Sequence, residues 1–281
     1  MNPKIFFSDK MWAENKDAFS PSSGKPKKVM EAWRDKWGFL TVIEPNPMSI
    51  EDLSQAHNGD YVVGVLNCEL PNGFGNKCPE VAASLPYTSG AMFDAALAAL
   101  QDGVAVAPVS GFHHAGYSHG GGFCTFNGLM ATAINLHKGG HVNHVGILDF
   151  DMHYGNGTNE IIGYLEIDYV SHHTQGACLS SIEYAEQFLK DIPGIIQKMK
   201  DEGCEIVLYQ AGADPNINDP LGGWLTTKQM KARDRIVFET CRKLKLPVAW
   251  NLAGGYQKPI EKVIEIHANT LSVCIKAFEG A

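Results

Sequence analysis

Residues 144–153, HVGILDFDMH, constrain this chain most strongly. An apolar run of strand length ends in Asp149, Asp151 and His153, spaced at every second position. In an extended segment residues i, i+2 and i+4 share one side, so two carboxylates and an imidazole converge where a buried strand stops. Gathering them there costs desolvation and repulsion that a bound cation would cancel. Taken alone, a DxDxH run also fits an irregular loop entry with solvated side chains, and the rest of the chain must decide.

The surrounding pattern alternates short β-branched runs with helical stretches. Strands are expected at VAVAPVS, VGILDF, IDYVSHH, CEIVLYQAGAD and PVAWNLAGGY. Helices are expected at MFDAALAALQDG, stopped by Gly103, at FNGLMATAINLHKGG, at TTKQMKARDRIVFETCRKLK and at KPIEKVIEIHANTLSVCIKAF. SIEYAEQFLKDIPGIIQKMKDEG reads as a helix broken or kinked near Pro193-Gly194. YVVGVLN fits either a strand or a helix, and NCELPNGFGNKCPE reads as a surface loop. Strand and helix in alternation predict an α/β fold with a mostly parallel central sheet flanked by helices on both faces. The 281 residues suit one catalytic-size domain over 1–281.

Ligands bind beyond the carboxyl ends of parallel strands. Four predicted strands run into chemically loaded residues there: Gly111-Phe112-His113-His114, then Asp149, Asp151 and His153, then Asp214, then Gly254-Gly255-Tyr256. Asp151, His153 and Asp214 form a one-histidine, two-carboxylate set, which suits a catalytic zinc with open positions. Each alone has an ordinary reading: Asp214, before Pro215, caps turns well, and His153 suits a core. Their joint placement argues for the metal. His113 and His114 suit proton transfer near neutral pH, although the second pair, His172-His173, shows that the dipeptide by itself is weak. Two glycines before Tyr256 permit a tight turn that presents its hydroxyl to a cavity.

Composition narrows the function. A formal net charge of −8 argues against a general nucleic-acid binder. No apolar run approaches the roughly 20 residues of a membrane span, and MNPKIFFSDKMW lacks a signal peptide's apolar core, so a cytoplasmic protein is expected. The seven cysteines form no CxxC pair, which points to reduced thiols rather than disulfides or a thiolate zinc site.

The segments SGFHHAGYSHGGGFCTFNG, ILDFDMHYGNGT, YQAGADPNINDPLGG and NLAGGY stand in the order and spacing of the histone deacetylase superfamily, and the chain resembles its bacterial acetylpolyamine and small-molecule amidohydrolases. The resemblance implies the arginase-deacetylase α/β fold and a zinc-dependent amidohydrolase that removes an acyl group from a lysine or a small amine. It makes Asp151, His153 and Asp214 the zinc ligands and His114 the general base. It has Asp149 orient a more cationic His113 and Asn156 face His114. Tyr256 would donate to the oxyanion, and Gly122 and Phe123 would line the substrate channel. A potassium ion is expected on Asp149, Asp151, His153, Ser171 and His172, partly through backbone carbonyls. The expected partner is an acyl-lysine or a small-molecule substrate, with no nucleic acid or membrane; a homo-oligomer is left open.

Three departures bear on substrate. Only TQGACLS follows YVSHH, where relatives usually carry a longer segment that supplies a second aromatic wall. Lys77 stands where many lysine deacetylases place an aspartate that grips the substrate backbone, and Leu221 stands where a polyamine-selective relative carries an acidic gatekeeper. Trp224, just beyond Leu221, is a candidate for rebuilding the wall. Two alternatives use the same fold. A binuclear ureohydrolase needs another acidic residue where Asn216 stands, and the intact His113, His114 and Tyr256 speak against a non-catalytic zinc sensor.

Overall fold

The computed structural model describes residues 2–15 and 18–279. Seven strands, β1 (Lys4–Phe6), β2 (Val42–Ile43), β3 (Val104–Ser110), β4 (Val145–Asp149), β5 (Val170–Thr174), β6 (Ile206–Gln210) and β7 (Val248–Ala253), form one sheet in the order β2-β1-β3-β7-β6-β4-β5. Every pairing is parallel. The four central strands β3, β7, β6 and β4 are buried almost throughout, which explains their continuous apolar runs, while β2 and β5 at the edges are mostly half-buried.

The helices are α1 (Lys25–Lys36), α2 (Ile50–Leu53), α3 (Gly59–Leu66), α4 (Pro79–Asp102), α5 (Gly128–Lys138), α6 (Asn156–Tyr164), α7 (Ala185–Asp201), α8 (Thr227–Lys243) and α9 (Glu261–Phe278). In one layer α7, α8, α9 and α1 pack side by side in that order; in the other α4 crosses β1, β3 and β7 and packs on α5. Trp250 of β7 joins sheet to helix layer, its ring touching Trp33 of α1 and Phe238 of α8.

Local chemistry sets the ends of these elements. Gly103 stops α4 at φ 85°, a left-handed cap that glycine adopts without a Cβ penalty. Thr226 and Gln229 close a reciprocal capping box on α8. YVVGVLN belongs to α3: the Asn58 side chain accepts from the amides of Asp60 and Tyr61, and Tyr61, Val62 and Val65 are buried at helical spacing. Strands β1 and β2, of three and two residues, are too short to show a periodicity, while helix α1 goes beyond the sequence expectations although Pro26 opens it and Val29, Met30 and Trp33 are buried at helical spacing.

Of the break or kink expected near Pro193-Gly194, the break does not occur: α7 is continuous through it. Phe188, Ile192, Ile196 and Met199 bury one face of this helix, whereas Pro193 is on the exposed face, so the carbonyl of Leu189 that it leaves unpaired is open to hydration. NCELPNGFGNKCPE is a loop between α3 and α4, as expected, but Asn72 and Gly73 within it are buried. Restoring the missing amide with Pro193→Ala should stabilise the chain by about 1–3 kcal/mol and raise Tm by a few degrees in a thermal melt; an unchanged Tm would show that the helix bears no cost there.

Candidate active site

The four strands predicted to carry chemistry are the four adjacent central strands, and all are parallel, so their loops open on one edge of the sheet. There β3 delivers His113 and His114, β4 delivers Asp149, Asp151 and His153, β6 delivers Asp214, and β7 delivers Tyr256.

Asp151, His153 and Asp214 offer one donor atom each, all within 4.8 Å of one another. His153 Nδ1 lies 3.3 Å from Asp151 Oδ1 and 3.2 Å from Asp214 Oδ2. Its Nε2 donates to the Leu221 carbonyl at 3.1 Å, so Nδ1 is the nitrogen that faces the carboxylates, donating to them and losing that proton if a metal takes its place. The amides of Gly254 and Met152 donate to Asp151 Oδ2 at 2.8 Å and Asp214 Oδ1 at 3.3 Å. Both carboxyl groups are buried. Burial and the charge of Asp151 raise the pKa of Asp214; burial also works against the charge on Asp151, but His113 and His153 outweigh it and hold Asp151 low. Hydrogen bonds to Asp151 and Asp214 lift His153 to about 11. Without a cation this cluster is held by protons, and its donors fit a divalent ion that would displace them.

The adjacent imidazoles have opposite character. His113 Nδ1 donates to Asp149 Oδ2 at 2.7 Å, and its Nε2 lies 3.6 Å from Asp151 Oδ1. Burial disfavours the charge on His113, yet Asp149 and Asp151 outweigh it and raise its pKa to about 9. His114, whose ring centroid is 4.1 Å from that of His113, is pushed below the usual value by burial and by its neighbour. Its Nδ1 donates to Asn156 Oδ1 at 2.6 Å. One dipeptide therefore supplies a cation and a neutral base at neutral pH.

Tyr256 is only 8% exposed, more enclosed than its Gly-Gly turn suggests. Burial, with Asp214 and Asp151 nearby, drives its pKa well above the ordinary value, so the hydroxyl remains a donor. Its ring sits 5.6 Å from that of Phe123, and Phe74 backs Phe123 at 5.8 Å. Phe123 holds φ 66°, a strained value for a residue with a side chain, next to Gly122 at φ 53°. A Cβ on Gly122 would collide with the His114 ring. Leu221 is half-buried and contributes the carbonyl that orients His153.

The second wall is not rebuilt by Trp224. That ring is buried against Phe188 and Tyr184, beneath the rim rather than on it. Residues 174–183 contain no aromatic side chain. Of the residues expected to hold potassium, Asp149, Asp151 and His153 share this cluster, whereas the Ser171 side chain is engaged elsewhere. Ser171 pairs with Gly146, three residues before the level of Asp149, and its hydroxyl donates to Glu202 at 2.6 Å and accepts from His144 at 3.0 Å.

Several residues that build the site escape sequence reading. Lys25 is fully buried and donates to the carbonyls of Ala253 and Gly254, the latter at 3.1 Å, so it fixes the turn before Tyr256. Burial lowers its pKa to about 8, against the pull of Asp214, Asp151 and Asp219. Arg233 of α8, also fully buried, donates to the carbonyls of Phe150 and Gly212 and so ties the two ligand-bearing loops together. Gln210 donates to Asp149 Oδ1 at 3.0 Å, and Asp219 accepts from the Tyr256 amide at 2.8 Å. Nothing in the sequence separates these buried cations from the surface lysines and arginines around them.

A Cβ on Gly254 would overlap Asp214 Oδ2 and sit 2.7 Å from Asp151 Oδ2. Gly254→Ala should therefore lower any affinity for a divalent ion by roughly tenfold or more, measured by competition with a chromogenic chelator, while the far-ultraviolet spectrum is unchanged. Affinity equal to that of the unaltered chain would remove the two carboxylates from the binding set.

Known proteins agree with this architecture. An uncharacterized protein from Picosynechococcus sp. is 27% identical over 240 residues, covering 77% of this chain and 79% of that protein. Histone deacetylase 2 of Arabidopsis thaliana is 26% identical over 267 residues, covering 84% of this chain and 69% of its own. A probable deacetylase of Methanothermobacter thermautotrophicus is 28% identical over 57% of this chain and 50% of its own length. The crystal structure of the HDA15 HD domain superposes with a TM-score of 0.77 at 19% identity, covering 99% of this chain and 88% of that one, and so shares the fold. The histone deacetylase domain matches residues 21–179 and 172–272. Since this domain spans most of the chain, the chain belongs to the histone deacetylase family.

Proposed function

We propose that this chain is a zinc-dependent deacetylase that hydrolyses the N-acyl amide of a lysine or a small amine. The observation that carries the reading is the placement of His113, bonded to the Asp149 carboxylate, and His114, bonded to the Asn156 amide, beside the Asp151, His153 and Asp214 donor set. A zinc ion on those three residues would polarise the amide carbonyl and lower the pKa of water from about 15.7 towards about 7.

The chain's own groups supply the remaining steps. His114 takes the proton of the attacking water on Nε2, because its Nδ1 already donates to Asn156. As the carbonyl carbon becomes tetrahedral, the Tyr256 hydroxyl donates to its oxygen, a contribution of about 3 kcal/mol. His114 then returns its proton to the nitrogen, and the amine leaves with a carboxylate as the other product. His113 holds its charge against Asp149 throughout and disfavours a second charge on His114, which keeps that residue a base before attack and a ready acid after it.

The substrate reading follows from the walls. Phe123, Phe74 and Tyr256 form one aromatic side, with no opposing ring from residues 174–183. Lys77 folds back onto the carbonyl of Glu69, away from any role in gripping a peptide. An open, one-sided channel accepts branched or cyclic acylamines that a closed lysine tunnel excludes.

The decisive experiment combines metal analysis with a screen of acylated lysines, polyamines and small amines on zinc-loaded protein. About one zinc per chain is expected, with most of it lost in Asp214→Ala; full occupancy in that variant would sink the ligand assignment. On a verified substrate Tyr256→Phe should reduce kcat by roughly 10²-fold or more. Asn156→Asp should move the acid limb of kcat/KM to higher pH, because a carboxylate stabilises the protonated His114 that an amide supports poorly, and the base form is then lost at a higher pH. A limb that stays in place would remove His114 as the group it reports.

A further inference from the structure

The potassium ion implied by the resemblance does not fit this chain, and we infer that the His172 imidazole and the turn at Gly176 fill the place beside Asp149 that a monovalent cation would take. Three of the expected donors are committed elsewhere or covered. The Ser171 hydroxyl is engaged by Glu202 and His144 at the other end of β5. On the β4 side, Asp149 Oδ1 accepts from the Asp151 amide at 3.1 Å and from Gln210 at 3.0 Å, while Oδ2 accepts from His113. The His153 carbonyl is covered by the chain itself, since a Cβ on Gly176 would overlap the His153 carbonyl group and the Tyr154 amide.

What stands beside Asp149 is an aromatic ring. A Cβ on Gly155 would sit 2.7 Å from Asp149 Oδ2 and 3.1 and 3.2 Å from His172 Cε1 and Nε2, so carboxylate and ring edge press on the same glycine. The ring is anchored, with Nδ1 donating to Asn159 Oδ1 at 2.6 Å, and its Nε2 is buried with no protein partner. Thr174, which pairs with Asp149, spends its hydroxyl as acceptor for the Gly155 amide at 3.0 Å. Hard cations take carboxylate, carbonyl and water oxygens, whereas imidazole nitrogen suits softer transition metals.

The test reads heat stability rather than turnover, so its failure is distinct from failure of the deacetylase reading. Zinc-loaded protein is melted in buffers where KCl or NaCl replaces choline chloride stepwise at constant ionic strength. An unchanged Tm across each series is expected. A saturable rise in Tm with potassium or sodium, absent in choline, would overturn the inference, because it is the mark of an ion bound to the native state. His172→Ser exchanges the ring for a hydroxyl and opens the place: its Tm should fall in choline and recover in KCl. Equal melting of that variant in both salts would overturn the role given to the ring, and the wild-type series decides the cation question even if the variant does not fold.

Discussion

Three carboxyl groups, Asp149, Asp151 and Asp214, are buried within one loop cluster at the edge of a parallel sheet, and their desolvation and mutual repulsion set the terms for everything around them. Each is met by donors that cannot leave. Backbone amides of Asp151, Met152 and Gly254 point into the cluster, and His113 and His153 add imidazole donors. Behind it lie two buried cations, Lys25 and Arg233, which reach the site through backbone carbonyls rather than these three carboxylates, Arg233 being also paired with Asp234. They add positive potential and stiffen the loops while leaving the acidic oxygens free for a metal. A lysine or arginine bonded directly to Asp151 or Asp214 would bring a charge that a metal could not displace by taking a proton, as it can from His153.

The legibility of the chain follows from the length and chemistry of each signal. The four central strands and the long helices α4, α8 and α9 show because buried strands are continuous apolar runs and these helices repeat their apolar face over several turns. Strands β1 and β2 are too short to carry a period, and α3 is decided by the Asn58 cap rather than by its valines. In the site, Asp151, His153 and Asp214 are legible because the pleat places alternate residues together and the parallel topology aligns strand ends. Lys25, Arg233 and Asp219 are not, since their importance lies in which carbonyl or amide they meet across the fold.

Register accounts for the place where resemblance and structure part. In a parallel pair, a shift of one residue reverses which side chains face the neighbouring loop. Here β5 sets Thr174, not Ser171 or His172, opposite Asp149, and His172 turns its ring toward the carboxylate while Ser171 joins Glu202 and His144. Adjacent in YVSHH, Ser171 and His172 thus meet different surroundings, the one at Glu202 and His144, the other at Asn159 and Gly155. The segment that follows, residues 174–183, carries no aromatic side chain.

Strain at the site is concentrated opposite that missing wall. Phe123 and Ala253 both hold positive φ without being glycine, and they lie on the loops that carry the aromatic side of the channel and the Tyr256 turn. Such conformations persist only where surrounding contacts over-determine them: Phe123 is wedged between Phe74 and Tyr256, and the Ala253 carbonyl is held by Lys25. On the proposed reaction the rigid side would fix the oxyanion donor and the acyl stem, whereas the side formed by Gln175–Ala177 and the residues beyond it, with Cys178 and Leu179 exposed, would impose little shape on the amine. The proposed chemistry is thereby held to one geometry, and the leaving amine would be selected by what the other side admits.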